Sequence, residues 1–213
     1  MSGLQLSNLS DFESRYDVSA NWGSGEPGGT AGILYGLGSH LIDQTVALFG
    51  KPSSVFAILA NGRRVGHPDV DDSFILHLRY PDNPVIVTLR SALHSTTTKQ
   101  VRFIVRGPKS SYVKYGLDVQ EPQAIGGMNP LASAFGEEQE SSWGEYAYID
   151  ESGKRHAESV RTETGSYLGY YRNVAEAITG KAGLVVTAEE AELGIQIIEA
   201  AKKSHQTASV VPI

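Results

Sequence analysis

Apolar residues recur at three- and four-residue spacing between Ala31 and Phe49, at Ile33, Leu34, Leu37, Leu41, Ile42, Val46, Leu48 and Phe49. That spacing predicts an amphipathic helix, with Thr30 as N-cap and Gly50 with Pro52 as the stop. Ahead of it, residues 10–17 alternate, Phe12, Ser14 and Tyr16 against Glu13, Arg15 and Asp17, the period of a half-exposed strand. Residues 21–32 between the two are glycine-rich and form an expected loop. After the helix the period drops to two. Residues 54–60, 73–80, 85–93, 100–106 and 111–115 read as strands, and without helices between them they should be antiparallel neighbours. Phe74, Leu76, Leu78 and Tyr80 alternate with Ile75, His77 and Arg79, so one face is buried and the other more polar.

Residues 118–144 read as a long surface excursion, with Glu137, Glu138 and Glu140 as a solvated cluster. Short strands near 146–149 and 158–162 lead to helices at 167–178 and 188–203, the latter opened by a capping box from Thr187 to Glu190. A tail strand at 209–213 closes the chain. The pattern gives an α+β fold: two layers, an open, mostly antiparallel (mixed) sheet, and helices packed on one face. Residues 1–213 read as a single domain without internal repeats.

Charge narrows the partners. The chain of 213 residues has 18 Lys plus Arg against 24 Asp plus Glu, a formal charge of −6, which argues against an electrostatic grip on nucleic acid or an anionic membrane. No apolar run approaches the roughly 20 residues that span a bilayer. There is no cysteine, which excludes a disulfide scaffold, a thiolate nucleophile and thiolate-ligated metals. With no signal-peptide pattern at the start, the expected location is cytoplasmic.

Residues 23–28, GSGEPG, match the letters of the dinucleotide fingerprint but not its context. The preceding strand is amphipathic, Glu26 would set negative charge beside phosphates, and no second apolar strand completes a βαβ unit. The expectation is that this chain has no Rossmann half and no cofactor-binding residues of its own. His40 carries more chemistry. On a helix it shares a face with Asp43, three residues on, and neighbours Gly36, four residues back. An imidazole is suited to proton exchange with a hydroxyl or carbonyl near neutral pH, although a half-buried helix histidine held by Asp43 is the plainer reading. His67, His77, His94, His156 and His205 show no metal-ligand spacing, and no metal is expected. Asp69, Asp71 and Asp72 read as a turn before a strand. Lys114, between Tyr112 and Tyr115, reads as part of a solvated sheet face. Tyr167, Tyr170 and Tyr171 read as core aromatics.

Several blocks carry a resemblance. They are DFESRYD at 11–17, GILYGLGSHLIDQTVALFG at 32–50, DDSF at 71–74, RFIVRG at 102–107, YVKYGLDVQE at 112–121 and YYRN at 170–173. In this order they resemble the C-terminal domain of the Gfo/Idh/MocA oxidoreductases, the family of glucose–fructose oxidoreductase and inositol dehydrogenase. The resemblance implies an NAD- or NADP-dependent enzyme whose Rossmann domain is not in this chain, and a sugar, polyol or related hydroxy compound as substrate. It implies His40 as the catalytic residue and Tyr35, Gly36 and Asp43 as substrate-binding positions. The family usually has an aspartate where Gly36 stands, so a carboxylate acceptor is missing there. It also implies a homo-oligomer joined through the open sheet face, and a Rossmann domain supplied in trans or by further chain. Alone, this polypeptide should be inactive. The rival expectation is a non-enzymatic binding or dimerisation module that kept the sheet and lost the chemistry.

Overall fold

The computed structural model describes residues 3–9, 32–64, 67–82, 84–93, 95 and 97–213. The expected strand at 10–17, the glycine-rich loop with its fingerprint-like letters, the Thr30 cap and His94 lie outside these residues.

One mixed sheet organises the molecule. Its strands are β1 (Gly3–Leu9), β2 (Ser54–Ala60), β3 (Ser73–Arg79), β4 (Ile86–Ala92), β5 (Val101–Arg106), β6 (Ser110–Tyr115), β7 (Gly144–Ile149), β8 (Arg155–Val160) and β9 (Val211–Pro212). Their spatial order is β8-β7-β6-β5-β1-β4-β3-β2-β9. The expectation that β2 to β6 pair successively fails at one point. Strand β1 lies between β4 and β5, parallel to β4 from Gly3 opposite Ile86 to Leu9 opposite Ala92, and antiparallel to β5. On either side of β1 the pairing is wholly antiparallel, four strands to a side. The α+β class holds.

Helices α1 (Ser39–Phe49) and α4 (Ala188–Thr207) cover one face of the β2–β4 half. Alternation sends Val55, Ala57, Phe74, Leu76, Leu78, Val87 and Leu89 to that face, where they meet Leu41 and Ile42 of α1 and Ile197, Ile198 and Ala201 of α4. Burying each of the Val, Leu, Ile and Phe side chains stabilises by about 1.5–3 kcal/mol before entropy is counted. The capping box at Thr187 and Glu190 forms, satisfying two of the helix's four orphan N–H groups. The outer edge of β2 is closed by β9 and then by α4, whose Ser204 Oγ accepts from Ala57 N at 3.0 Å and whose His205 Nδ1 accepts from Leu59 N at 3.3 Å.

The excursion after β6 contains the short helix α2 (Gln120–Ile125) and is tied down more firmly than its composition suggests. Lys114 of β6 is buried, with Nζ 2.6 Å from Glu138 Oε2 and donating to Ser142 O at 2.8 Å; Thr162 Oγ1 donates to the same Glu138 oxygen at 2.8 Å. Neither Lys114 nor Glu138 is therefore the solvated surface group that its sequence context implied. Helix α3 (Tyr167–Ile178) also departs from expectation. Gln120 Oε1 accepts from Tyr167 N at 2.8 Å, so the helix is held at its start. Its body carries Tyr170 and Tyr171 at 68% exposure each, packed edge to face on one another rather than in a core.

Candidate active site on helix α1

The segment leading into α1 is held from the sheet side. Gly32 adopts φ +104°, and a Cβ there would stand 2.2 Å from Asp71 Oδ1, so only glycine fits. Ile33 N donates to Asp71 O at 3.1 Å, and Leu34 N donates to Asp71 Oδ2 at 2.7 Å. Asp71 therefore satisfies the start of the helix in place of a local cap. Burial pushes its carboxyl above the usual range against the opposing N–H bonds. Its neighbour Asp72 binds the turn, accepting from Gly62 N and Arg63 N at 2.8 Å each and from Arg63 Nε at 3.1 Å. Burial works to raise this carboxyl, but the two N–H groups and the guanidinium outweigh it and hold it below the usual range. The turn expected around these aspartates is there, and it positions α1.

From Leu34 to Gly38 the helix is wound as a π turn before α1 proper begins. Such turns are rare and recur at functional sites. Gly38 is buried here; a Cβ would lie 2.9 Å from Leu34 Cδ1 and 3.3 Å from Phe74 Cζ, so its small size lets the turn sit close on β3. His40 follows within one turn and is exposed, as is Asp43. Gly36 is half-buried. Tyr35 turns toward α4: its hydroxyl bonds Glu199 Oε1, and Lys202 Nζ lies 5.1 Å from its ring centroid. Burial, with Glu199 adding to it, pushes the Tyr35 phenol up to about 12. Tyr35 thus joins two helices, while Gly36 stands in the π turn and His40 in the first turn of α1, with Gln44 four residues beyond His40 on the same face.

Gln44 leads to a residue that sequence reasoning missed. Its Oε1 accepts from Arg102 Nη2 at 2.8 Å. Arg102 sits at a break in the β5–β6 register, where Val101 faces Tyr115 and Phe103 faces Lys114, so Arg102 is the extra residue of a bulge. Its guanidinium carbon lies 5.1 Å from the Phe103 ring centroid, and its Nη1 is shielded from solvent without an acceptor among the described residues. Burial lowers its pKa. Gln44 could have been found by stepping one helical turn from His40. A bulge leaves no comparable signal in the sequence.

Among the described residues, the parallel pair β1 and β4 is linked through α1, β2 and β3 rather than by the single crossover helix of a βαβ unit. The described residues contain no group of three or more His, Cys, Asp or Glu placed to hold a metal. No helix among them is long and apolar enough to cross a membrane. A groove of about 510 Å³ opens on the β5–β8 half and is lined in part by Arg106, Lys109, Glu145, Tyr148 and Arg155. It includes none of the α1 residues.

Residues 8–213 match the family described as Oxidoreductase family, C-terminal alpha/beta domain. The chain is 38% identical over 192 residues to the scyllo-inositol 2-dehydrogenase (NADP(+)) of Bacillus subtilis, covering 90% of this chain and 52% of that protein. It is 33% identical over 225 residues to an uncharacterized oxidoreductase of Schizosaccharomyces pombe, covering 98% and 61%. Among solved structures, the Bacillus subtilis protein YvaA superposes with a TM-score of 0.83 at 31% identity, covering 99% of this chain and 57% of that one. An oxidoreductase from Bacillus cereus gives 0.81 at 26%, covering 100% and 59%. The chain thus spans little more than half the length of these relatives.

Proposed function

The chain belongs to the Gfo/Idh/MocA oxidoreductases, matching their C-terminal alpha/beta domain, and from that premise we propose that it is the substrate-binding and oligomerisation half of an NAD(P)-dependent enzyme acting on a sugar, polyol or related hydroxy compound. The observation that carries the reading is His40, presented in the open on a helix whose start is pinned by Asp71 and whose face continues to Gln44 and Arg102. In this reading a neutral His40 imidazole accepts the proton of the substrate hydroxyl as that carbon is oxidised, and Gln44 orients a neighbouring hydroxyl. Tyr35 acts from behind by fixing the turn against α4, and Asp43 borders the site. The electron acceptor belongs to a nucleotide-binding half supplied in trans or by further chain, so this polypeptide alone is inactive. The expected setting is the cytoplasm.

A fusion to the nucleotide-binding half of the Bacillus subtilis scyllo-inositol dehydrogenase tests this. Assayed on a panel of sugars, polyols and sugar acids, the fusion should show NADP⁺-dependent oxidation of at least one, and His40→Ala should lower kcat on it by about 10²–10⁴, the usual contribution of general acid–base catalysis. Equal activity with and without the imidazole would overturn the assignment. Gly36 favours the second reading, a binding module that has lost its chemistry, because no carboxylate stands there to support the imidazole. If only Gly36→Asp confers turnover on the fusion, that second reading holds.

The uncovered sheet face supports the oligomer. Register and alternation place Phe56, Ile58, Ile75, Ile86, Ile104 and Val113 on it, with Ile58 50% and Ile86 42% exposed. A second copy packing there forms a dimer. Sedimentation at tens of micromolar should show it, and a clean monomer would refute it.

A further inference from the structure

We propose that Arg102 anchors the substrate at the α1 site and that this substrate carries a carboxylate, making it a sugar acid rather than a neutral polyol. The inference rests on the reading of the His40–Gln44 face as the substrate side, and it assigns that face a charge.

Three observations carry it. The first is direction. Phe103 belongs to the helix-covered face, so unbroken alternation would send Arg102 to the opposite side of the sheet; the bulge brings it instead to Gln44 on α1. The second is charge. No carboxylate among the described residues pairs with Arg102, and its contacts are the neutral Gln44 amide and the Phe103 ring. A guanidinium withdrawn from water without a counter-charge is unfavourable, and an anionic ligand removes that penalty. The third is vacancy at a defined atom. Nη2 is committed to Gln44, whereas Nη1 is without an acceptor among the described residues. The residue as a whole is half-buried and Nη1 itself is shielded, so an anion entering from the exposed side of the residue would have to displace what covers Nη1 to give it an acceptor.

The spacing suits one molecule reaching both ends of the site. Residues four apart on a helix are separated by a rise of about 6 Å, so His40 and the group fixed through Gln44 stand roughly one turn apart. A hexuronic acid can place a hydroxyl at one end of that span and its carboxylate at the other.

The full chain is titrated with D-glucuronate and with scyllo-inositol while its backbone and side-chain amide resonances are followed. D-glucuronate should give saturable shifts at His40 and at the Gln44 side chain and bind about tenfold more tightly than scyllo-inositol, the scale of one charge-assisted contact. In Arg102→Gln that ratio should fall to near unity, and Arg102→Lys, which keeps the charge, should restore part of it. A residue that only packs would move the melting temperature and leave the ratio unchanged. Should Arg102→Gln fail to fold, Arg102→Lys reads the same ratio, expected between unity and the wild-type value. Equal binding of the two compounds, an unchanged ratio in the folded variants, or no saturable response to D-glucuronate at tens of millimolar overturns the proposal. Saturable scyllo-inositol binding on α1 without any preference for the acid leaves the proposed function standing, because that reading is judged by turnover of the fusion.

Discussion

Removing the ammonium from Lys114 should cost more stability than any surface substitution in this chain. Its side chain is 8% exposed and that of Glu138 4%, and the two are 2.6 Å apart although 24 positions apart in the sequence. In Lys114→Met the Glu138 carboxylate keeps only the Thr162 hydroxyl as a donor, and Ser142 O loses its partner. Breaking a buried pair from one side costs about 3–5 kcal/mol, because a charge is left in a poorly solvated place. That is a fifth or more of a typical domain's stability. In the double variant Lys114→Met with Glu138→Leu both charges leave together, and the total loss should shrink to about 1–2 kcal/mol, mostly from the stranded Thr162 hydroxyl and Ser142 carbonyl. Adding Glu138→Leu to Lys114→Met should therefore recover about 2–3 kcal/mol instead of adding a second loss. Urea unfolding followed by circular dichroism measures the global term, and Trp143 fluorescence, one residue from Ser142, reports the anchored excursion. Additive single losses, or a Lys114→Met variant within about 1 kcal/mol of wild type, would show that the pair does not hold the excursion to β6.

Three further outcomes follow from the same contacts. Asp71→Ala removes the acceptor for Leu34 N and should cost about 1–2 kcal/mol, with faster hydrogen exchange at Leu34 than at α4; uniform exchange across both helices would refute its role in seating α1. Asp72 has its folded pKa depressed, so its contribution is present above the ordinary aspartate value of 3.8 and is lost as pH falls through the folded pKa. Asp72→Asn should lie about 1–3 kcal/mol below wild type at pH 7, and the gap should narrow in acid; a constant gap between pH 7 and pH 3 would sink this account. Finally, alternation sets Arg79, Arg90, Arg106 and Arg155 on the uncovered sheet face with Glu145 as the acid among them, in a chain of net charge −6. Two copies meeting there bring like charges together, so raising salt from about 0.1 M to about 1 M, which shortens the screening length from about 10 Å to about 3 Å, should tighten the dimer. Sedimentation showing dissociation at high salt would count against this face.

What the sequence revealed and what it hid divide along a physical line. Strand β2 at 54–60 and helix α3 at 167–178 appear where their periods put them, since period and turn residues act within a few positions of one another. His40 was legible as chemistry for the same reason, and Gln44 lies one turn away by the same arithmetic. Lys114 was misread because alternation says which face a residue takes but not what later folds over that face; its partner comes from a stretch whose polarity suggested water. Tyr170 and Tyr171 were misread in the opposite sense, as aromatics at helical spacing whose helix is anchored at its start yet leaves both rings exposed. Strand β1 carries a Leu4–Leu6 alternation, but its parallel place between β4 and β5 follows from pairing over some eighty residues. Asp71 and Arg102 show how this bears on function. Each reaches the α1 site from another element, Asp71 through a turn and Arg102 through an irregular register, so neither has a local pattern to betray it. The proposed proton-handling end of the candidate site is written along one helix, whereas the end that would choose the substrate is assembled across the sheet. Substrate choice can therefore change with a shift in one strand's register while the His40 motif stays as it is.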